Sequence, residues 1–307
     1  MAEKRSSRVH EGADAAPELI DPIWILKMLG GVVVVAAICA YLTIMLLFWQ
    51  GAWQLVLHPE RDAAQLQVPG AAVEAVHFDA DELGQTRLNG WWISSAAPSS
   101  YAVLYLRGGD GELATDAGDR QRIAMLRSAG LNVFGFDYRG YGTSVKLRPS
   151  EKSMSEDVER TFDFLTTQKG YLPDHVLLFG AGIGGPLAAQ LSVKHTSVAA
   201  LVLDQPDATA LERVMDDKRG KILPARLLYR DRFDLIGPLA RSQAAKLLML
   251  VADFDAHAQD RNEVAVHEAY FAAASPKTVT VMGSGAGLEA QKVEALRRFL
   301  DEYLIRR

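Results

Sequence analysis

The sequence predicts an α/β fold with one apolar helix ahead of it. Two observations lead to this prediction. Apolar runs with the length of buried strands alternate with helix-like runs from about residue 101 to the C-terminus, which is typical of a mainly parallel sheet covered by helices on both faces. Ahead of them, residues 28–49 hold no formally charged side chain. With 307 residues, 49% of them hydrophobic, the chain can bury a substantial core.

The uncharged segment predicts a transmembrane helix. Its 22 residues would rise roughly 33 Å as a helix, which matches a hydrocarbon core of about 30 Å. Trp24, Trp49 and Trp53 lie where interfacial aromatic residues are expected. The alternatives are a cleaved signal peptide, whose apolar region is usually about 7–15 residues long, and a buried core helix.

The charges around this segment predict its orientation. Lys4, Arg5, Arg8 and Lys27 precede it, whereas the 30 residues after it offer only Arg61 as a basic side chain. The positive-inside rule therefore places the N-terminus in the cytoplasm and the folded domain outside it, in the periplasm if the host is a bacterium.

We divide the chain into a flexible cytoplasmic tail (residues 1–22), a transmembrane helix (residues 23–50) and one folded domain (residues 51–307). Residues 208–243 interrupt the alternation with prolines, glycines and many charges, so we expect a cap-like helical excursion there. The remaining periodicities predict strands at 72–78, 87–94, 101–106, 131–136, 175–179, 198–203, 246–251 and 277–282, and helices at 119–128, 153–167, 185–194, 262–274 and 288–305.

The charge balance argues against nucleic acid as a partner. Lys plus Arg number 33 against 38 Asp plus Glu, so the chain offers no basic field for a phosphate backbone. Cys39 is the only cysteine, so the folded domain can hold neither an internal disulfide nor a thiolate metal site.

A glycine-rich turn is the most informative motif. Residues 176–185 have the pattern of a strand, a sharp turn and a helix start, with Gly182 at the apex. In a Gly-x-Ser-x-Gly nucleophile elbow, the apex residue carries the attacking hydroxyl group. Glycine tolerates the strained backbone of such a turn, so this chain can keep the geometry of an elbow without its nucleophile.

Several segments together resemble the α/β-hydrolase superfamily, and specifically its membrane-anchored serine-hydrolase-like branch. The most specific is Asp-Tyr-Arg-Gly-Tyr-Gly-x-Ser within residues 136–144, supported by residues 57–59, 106–111, 229–234 and the glycine turn. The resemblance covers about residues 45–305. It implies an α/β-hydrolase fold and, for a working relative, hydrolysis of acyl esters or peptides.

The resemblance also assigns three catalytic positions. In the family a serine sits at the elbow, an aspartate follows the penultimate strand and a histidine follows the last strand. In this chain those positions hold Gly182, Asp255 and Ala286, and no histidine follows His267. Since nucleophile and base are both missing, we predict a pseudoenzyme that binds an unidentified small molecule or protein, without a cofactor.

Other groups could still serve this site. The backbone N–H groups of Ile183 and of a residue near Gly109 would form an oxyanion hole, which needs no catalytic side chain. Arg107 either meets an anionic ligand or forms a salt bridge with Asp110 or Asp137. His257 is either a displaced base in a working hydrolase or a solvated loop residue.

Two further alternatives remain open. Residues 180–185 also fit Gly-x-Gly-x-x-Gly, with Asp204 as the ribose-binding acid of a dinucleotide site, although at least two strand and helix units precede this motif. Asp253, Asp255 and His257 could hold a metal ion, but three ligands in one loop are weak support, and we predict no metal site. Ser144 is expected to be structural.

Overall fold

The computed structural model describes residues 21–62, 64–79, 84, 86–252 and 261–305. The chain divides into two compact units, Met1–Leu47 and Phe48–Arg307. Within the described part of the first unit, the apolar residues lie in helix α1 (Pro22–Gly51), and nearly all of its side chains are exposed. With the short helical turn that follows it, Pro22–Leu55 is, among the described residues, the one helix long and apolar enough to cross a membrane.

The second unit is built on strands, most of which match the predicted ones to within a few residues. Two pairs of residues form an additional short parallel ladder that the sequence did not indicate. The strands are β1 (His58–Pro59), β2 (Val73–Asp79), β3 (Arg87–Ile93), β4 (Ala102–Leu106), β5 (Asp110–Gly111), β6 (Asn132–Asp137), β7 (Val176–Gly182), β8 (Ala200–Pro206), β9 (Ala245–Ala252) and β10 (Lys277–Gly283).

Helices fill the connections. They are α2 (Ala117–Ser128), α3 (Glu151–Thr167), α4 (Gly184–Lys194), α5 (Ala210–Asp216), α6 (Lys218–Ile222), α7 (Ala225–Leu228), α8 (Ile236–Arg241), α9 (Arg261–Ala272) and α10 (Leu288–Leu300). Side-chain caps begin two of the long ones, since Asp116 accepts from the Asp119 N–H at the start of α2 and Ser150 forms a capping box with Ser153 at the start of α3.

Eight strands form one sheet in the order β10-β9-β8-β7-β4-β6-β3-β2. The pairs of β3 with β2 and with β6 are antiparallel, and all other pairs are parallel. Every residue of β4 is buried, as expected for a central strand covered on both faces. The chain leaves β4 toward β6 on one side and later returns to β7 on the other. The carboxyl ends of β4 and β7 therefore flank a topological switch point, where ligands bind in open α/β sheets.

Residues 208–243, for which the sequence predicts a cap-like excursion, contain α5, α6, α7 and α8. Of these helices, α8 packs against α4 and α9 and so belongs to the layer that covers the sheet. Leu235 and Leu239 are fully buried in that contact layer, and the Ser192 and Ser242 hydroxyl groups are hydrogen-bonded at 2.8 Å. Apolar side chains at helical spacing explain why this segment returns to the body of the domain.

The closing helix also differs from the expectation of a single helix over residues 288–305. Its α-helical part ends at Leu300, and Asp301–Ile305 form a wider π-helical turn. The turn lets the Tyr303 ring pack on the Phe299 ring at 4.9 Å, while the Tyr101 hydroxyl donates to the Leu304 carbonyl oxygen.

Candidate functional site

The glycine turn has the backbone of a nucleophile elbow. Gly182 ends β7 with φ of +53°, in the left-handed region that favours glycine, and α4 begins two residues later. The ladder between β7 and β8 is irregular there, because Ala181 pairs with Asp204 while Gly182 pairs with Pro206. Gln205 is left between them with φ of +49°, and such bulges redirect side chains beside functional sites.

Close packing explains the other glycines of the turn. A Cβ atom on Gly180 would lie 2.6 Å from the Gly184 carbonyl oxygen, and one on Gly184 would lie 2.6 Å from the Arg107 carbonyl oxygen. A Cβ atom on Gly185 would collide with Pro206. These glycines therefore let α4 start directly against β4 and β8, without any need for a bound nucleotide.

The segment after β4 forms the wall opposite the apex. A Cβ atom on Gly182 would lie 3.2 Å from Gly108 Cα, and one on Gly109 would lie 3.1 Å from Ile183 Cδ1. Ile183 is the N-cap residue directly before α4, and no side chain caps the helix there. The structure thus brings Ile183 and Gly109 together as the sequence suggested. Their role as donors to an oxyanion remains a prediction.

A cavity of about 220 Å³ opens over Gly182. Its described lining is charged or polar, apart from Ala181 and two glycines, and it contains no serine, threonine, cysteine, histidine or lysine. The lining residues are Arg107, Gly108, Asp110, Asp116, Asp119, Arg122, Ala181, Gly182, Gln205, Asp207 and Arg213.

Arg107 is a structural residue of this cavity. Its side chain is 1% exposed, and its guanidinium donates to the Asp119 carboxylate at 2.8 Å and to the carbonyl oxygens of Asp110 and Gly111. The expected salt bridge to the carboxylate of Asp110 or Asp137 was wrong, because α2 places the buried Asp119 carboxylate next to the guanidinium. These contacts use three of the five N–H donors of the guanidinium and hold it against α2 and the turn after β4.

The Asp204 carboxylate also forms its salt bridges within the protein. Its Oδ2 atom accepts from Arg122 Nε at 2.8 Å and from Lys292 Nζ at 3.0 Å, and its side chain is fully buried. A ribose-binding acid must present its carboxylate to the ligand. A dinucleotide site would therefore lack its ribose-binding acid. Packing of the turn explains the glycines of residues 180–185.

Polar groups that sequence reasoning missed lie at one side of the cavity. His58 Nδ1 is 2.6 Å from Asp110 Oδ1, Arg213 lies 3.8 Å from Asp110 Oδ2, and Arg213 also pairs with Asp207 Oδ1 at 3.0 Å. The Asp207 Oδ2 atom is 3.9 Å from the position of a Cβ atom on Gly182. These residues come from the paired short strands β1 and β5, from the turn after β8 and from α5, so only the fold brings them together and no spacing in the sequence indicates the cluster.

Comparison with known proteins agrees with this architecture. Residues 117–269 match the family of serine aminopeptidases, S33. An uncharacterized Mycobacterium tuberculosis protein, Rv2307c, is 33% identical over 227 residues, which are 70% of this chain and 75% of that protein. The chain belongs to the α/β-hydrolase superfamily. Mouse α/β-hydrolase domain-containing protein 17C is 26% identical over 257 residues, 83% of this chain and 76% of that protein.

Some of the similar proteins carry names that state an activity. Lysophosphatidylserine lipase ABHD12 of Macaca fascicularis is 34% identical over 146 residues, 45% of this chain and 34% of that protein. A Pyrococcus furiosus esterase superposes with a TM-score of 0.61 at 17% identity, covering 81% of this chain and 98% of the esterase. That likeness shows the α/β-hydrolase fold alone.

The other two positions that the resemblance assigned to a catalytic triad can be placed in part. Ala286 is exposed in the loop after β10, at the carboxyl edge of the sheet to which Gly182 also belongs. Asp253, Asp255 and His257 lie outside the described residues. Ser144 is structural as expected, since its hydroxyl donates to the Asp137 carbonyl oxygen and accepts from the Asn89 N–H. No group of three potential metal ligands occurs among the residues described.

Beside this site, Glu112 and Asp137 form a buried acidic pair. Both Glu112 carboxylate oxygens and Asp137 Oδ2 are buried without a hydrogen-bond partner, and Gly142 lies against both carboxylates. Burial raises the pKa of Glu112 to about 7 and that of Asp137 to about 6. The Asp137 carboxylate adds to the effect of burial on the pKa of Glu112, because a nearby negative charge disfavours a second one in a dry site.

These pKa values predict that the protein is more stable at pH 5 than at pH 8. The folded chain holds protons on these carboxyl groups at a pH where the unfolded chain has lost them, so the free energy of unfolding falls as the pH rises from about 4 to 7. We expect Glu112→Gln to flatten this slope and to raise the melting temperature at pH 8. Thermal unfolding at pH 5 and pH 8 measures both effects. Glu268→Gln on the exposed surface of α9 is the matched control, and equal slopes in the two variants would contradict the prediction.

Proposed function

We propose that this α/β-hydrolase is a membrane-anchored, catalytically inactive member that binds a ligand or a protein partner at the elbow. The proposal rests chiefly on one observation. The elbow keeps its backbone at Gly182, yet no side chain in the described lining of its cavity is a hydroxyl, thiol or imidazole group. Ala286 at the base position agrees with this loss.

The lining suits a small polar ligand better than an acyl chain. Carboxylate and guanidinium groups from α2, α5 and the turn after β4 surround the cavity, and a long apolar chain would leave these charges desolvated. A carbonyl or anionic oxygen of the ligand would lie at the uncapped start of α4, near Ile183 and Gly109. The carboxylate of Asp207 would meet a cationic or hydrogen-bond-donating group.

The length and composition of α1 support the anchor. Its uncharged segment, the flanking tryptophans and the basic residues before it favour a single crossing with the N-terminus in the cytoplasm and the folded domain outside it.

We expect no labelling of the purified full-length protein by a fluorophosphonate probe and no ester hydrolysis above the background rate. Removal of a complete catalytic triad in a serine hydrolase lowers turnover by about 10⁶. An active serine hydrolase in the same detergent is the positive control. Stoichiometric labelling of any serine in this chain would overturn the proposal.

One observation favours a second candidate, a working hydrolase with displaced catalytic groups. The carboxylate of Asp207 lies close to the position that the missing side chain of residue 182 would occupy. A carboxylate can act as a nucleophile in covalent catalysis. Ester or peptide hydrolysis that Asp207→Asn abolishes would establish this candidate, whereas our proposal expects neither protein to be active.

A further inference from the structure

Helices α6 and α7 carry a surface of unusual composition, which we call the basic cap surface (residues 218–230). Ile222 and Leu227 are 78% and 79% exposed, and the side chains of Lys218, Arg219, Lys221 and Arg226 around them are also exposed. Apart from α1, few large apolar side chains among the described residues are as open to solvent. Apolar and basic side chains interleaved on one surface are typical of segments that bind the membrane interface.

The outward position of Ile222 and Leu227 is not a failure to bury apolar residues. The same segment buries Leu223, Ala225 and Tyr229. Gly220 packs so closely on the Val214 backbone that a Cβ atom there would collide with it. The buried residues thus dock the cap on the domain, while the two exposed ones remain available to an apolar partner outside it.

The charge of the basic cap surface and of the three residues beside it, 217, 231 and 232, favours an anionic partner. Residues 217–232 contain six Lys or Arg and two Asp, a net charge of +4, whereas the whole chain has a net charge of −5. Asp217 is already paired with Arg219 at 2.8 Å. A basic patch on an acidic protein is therefore complementary to anionic lipid headgroups, which attract Lys and Arg side chains near the membrane surface.

The basic cap surface also continues into the region where the apolar helix ends. A groove joins Trp49 and Trp53 to Arg148 and to residues 228–231, and the Arg148 guanidinium lies 5.4 Å from the Trp53 ring centre. Trp49 is the last residue of the uncharged segment 28–49. Interfacial tryptophans lie at the headgroup level, so the chain itself brings the end of α7 close to that level.

We infer that the basic cap surface lies on the membrane, with Ile222 and Leu227 in the interface and the basic side chains on anionic phospholipid headgroups. The inference rests on the proposed anchor, which would hold the domain at the bilayer. The cap would then be in contact with lipid through α6 and α7, while Arg213 of the adjacent α5 lines the cavity over Gly182.

The test uses the full-length protein in lipid nanodiscs. In a Cys39→Ser background, Ile222→Cys carries an environment-sensitive fluorophore, and the discs contain spin-labelled lipid as a quencher. Leu172→Cys is the matched control, because Leu172 is also a large apolar residue, is 62% exposed, and precedes β7 at the opposite edge of the sheet from Gly182. We expect about twofold quenching or more at position 222 in discs containing phosphatidylglycerol, and little at position 172.

Two further measurements make the outcomes distinct. Replacing Lys218, Arg219 and Lys221 by glutamine, or using phosphatidylcholine alone, should reduce the quenching at position 222. Quenching at position 222 that is no greater than at position 172 in anionic discs would overturn the inference and leave the surface to an acidic protein partner. Failure of the chain to elute with the discs would refute the anchor itself, whereas elution with the discs without quenching refutes only the docking of the cap.

Discussion

Gly184→Ala is expected to destabilise the folded domain by on the order of 3 kcal/mol, which lowers its melting temperature by roughly 6–12 °C. A Cβ atom at this position would lie 2.6 Å from the Arg107 carbonyl oxygen and still closer to the Leu106 carbonyl oxygen. Both are backbone atoms of the segment that ends β4, so neither can rotate away. Either α4 or the central strand must shift. Thermal unfolding of the purified protein, followed by circular dichroism, measures the change.

Gly108→Ala is the matched control for this substitution. Gly108 lines the same cavity, but a Cβ atom there would have no atom within 4 Å. Its replacement should change the stability by less than about 0.5 kcal/mol. Equal melting temperatures of the Gly184→Ala and wild-type proteins would show that α4 does not approach β4 as closely as described. Close packing of the turn would then not explain why residues 180, 184 and 185 are glycines.

Arg107→Leu is expected to destabilise the protein by about 3–5 kcal/mol, because it removes the nearest cation of the buried Asp119 carboxylate and leaves only Arg122, at 3.8 Å. Arg107 also satisfies the carbonyl oxygens of Asp110 and Gly111, which shape the wall of the cavity. If Arg107 served chiefly as a ligand contact, the substitution would instead preserve the melting temperature and abolish binding. Chemical or thermal unfolding therefore separates the two roles that the sequence left open.

The double variant Arg107→Leu and Asp119→Leu tests the cause of this loss. When both charges are removed, no unpaired charge remains buried, so we expect part of the stability to return. The Tyr105 hydroxyl, which donates to Asp119 at 2.6 Å, would still lose its partner, so recovery should be incomplete. A double variant less stable than Arg107→Leu alone would contradict a dominant pairing between the two side chains.

Much of the fold could be predicted because its signals are local. Buried strands such as β4 and β7 are continuous apolar runs, and Asp116 and Ser150 mark helix starts through side chains next to the helices that they cap. The boundary of the cap was harder to predict. Whether α8 covers the sheet or the cap depends on its contacts with α4 and α9, which lie elsewhere in the sequence.

The candidate site also has features that the sequence predicts and features that it does not. Gly182 and Ala286 could be proposed from the sequence as the residues at the family's serine and histidine positions, since residue identity needs no tertiary structure. The partner of Arg107 was not predictable in this way. Its carboxylate is Asp119, twelve residues further along the chain, and only the position of the start of α2 next to Tyr105 and Arg107 brings the two groups together.

The amino-acid sequence alone therefore determined the α/β pattern, the apolar helix and the glycine at the apex of the turn, because these follow from local periodicity and residue identity. Only the tertiary structure showed that Asp204 forms salt bridges with Arg122 and Lys292 and that Asp207 lies beside Gly182. It also showed that charged groups line the cavity. Electrostatic partners depend on distances between side chains that are far apart in the chain. Packing of the helices on the sheet sets those distances.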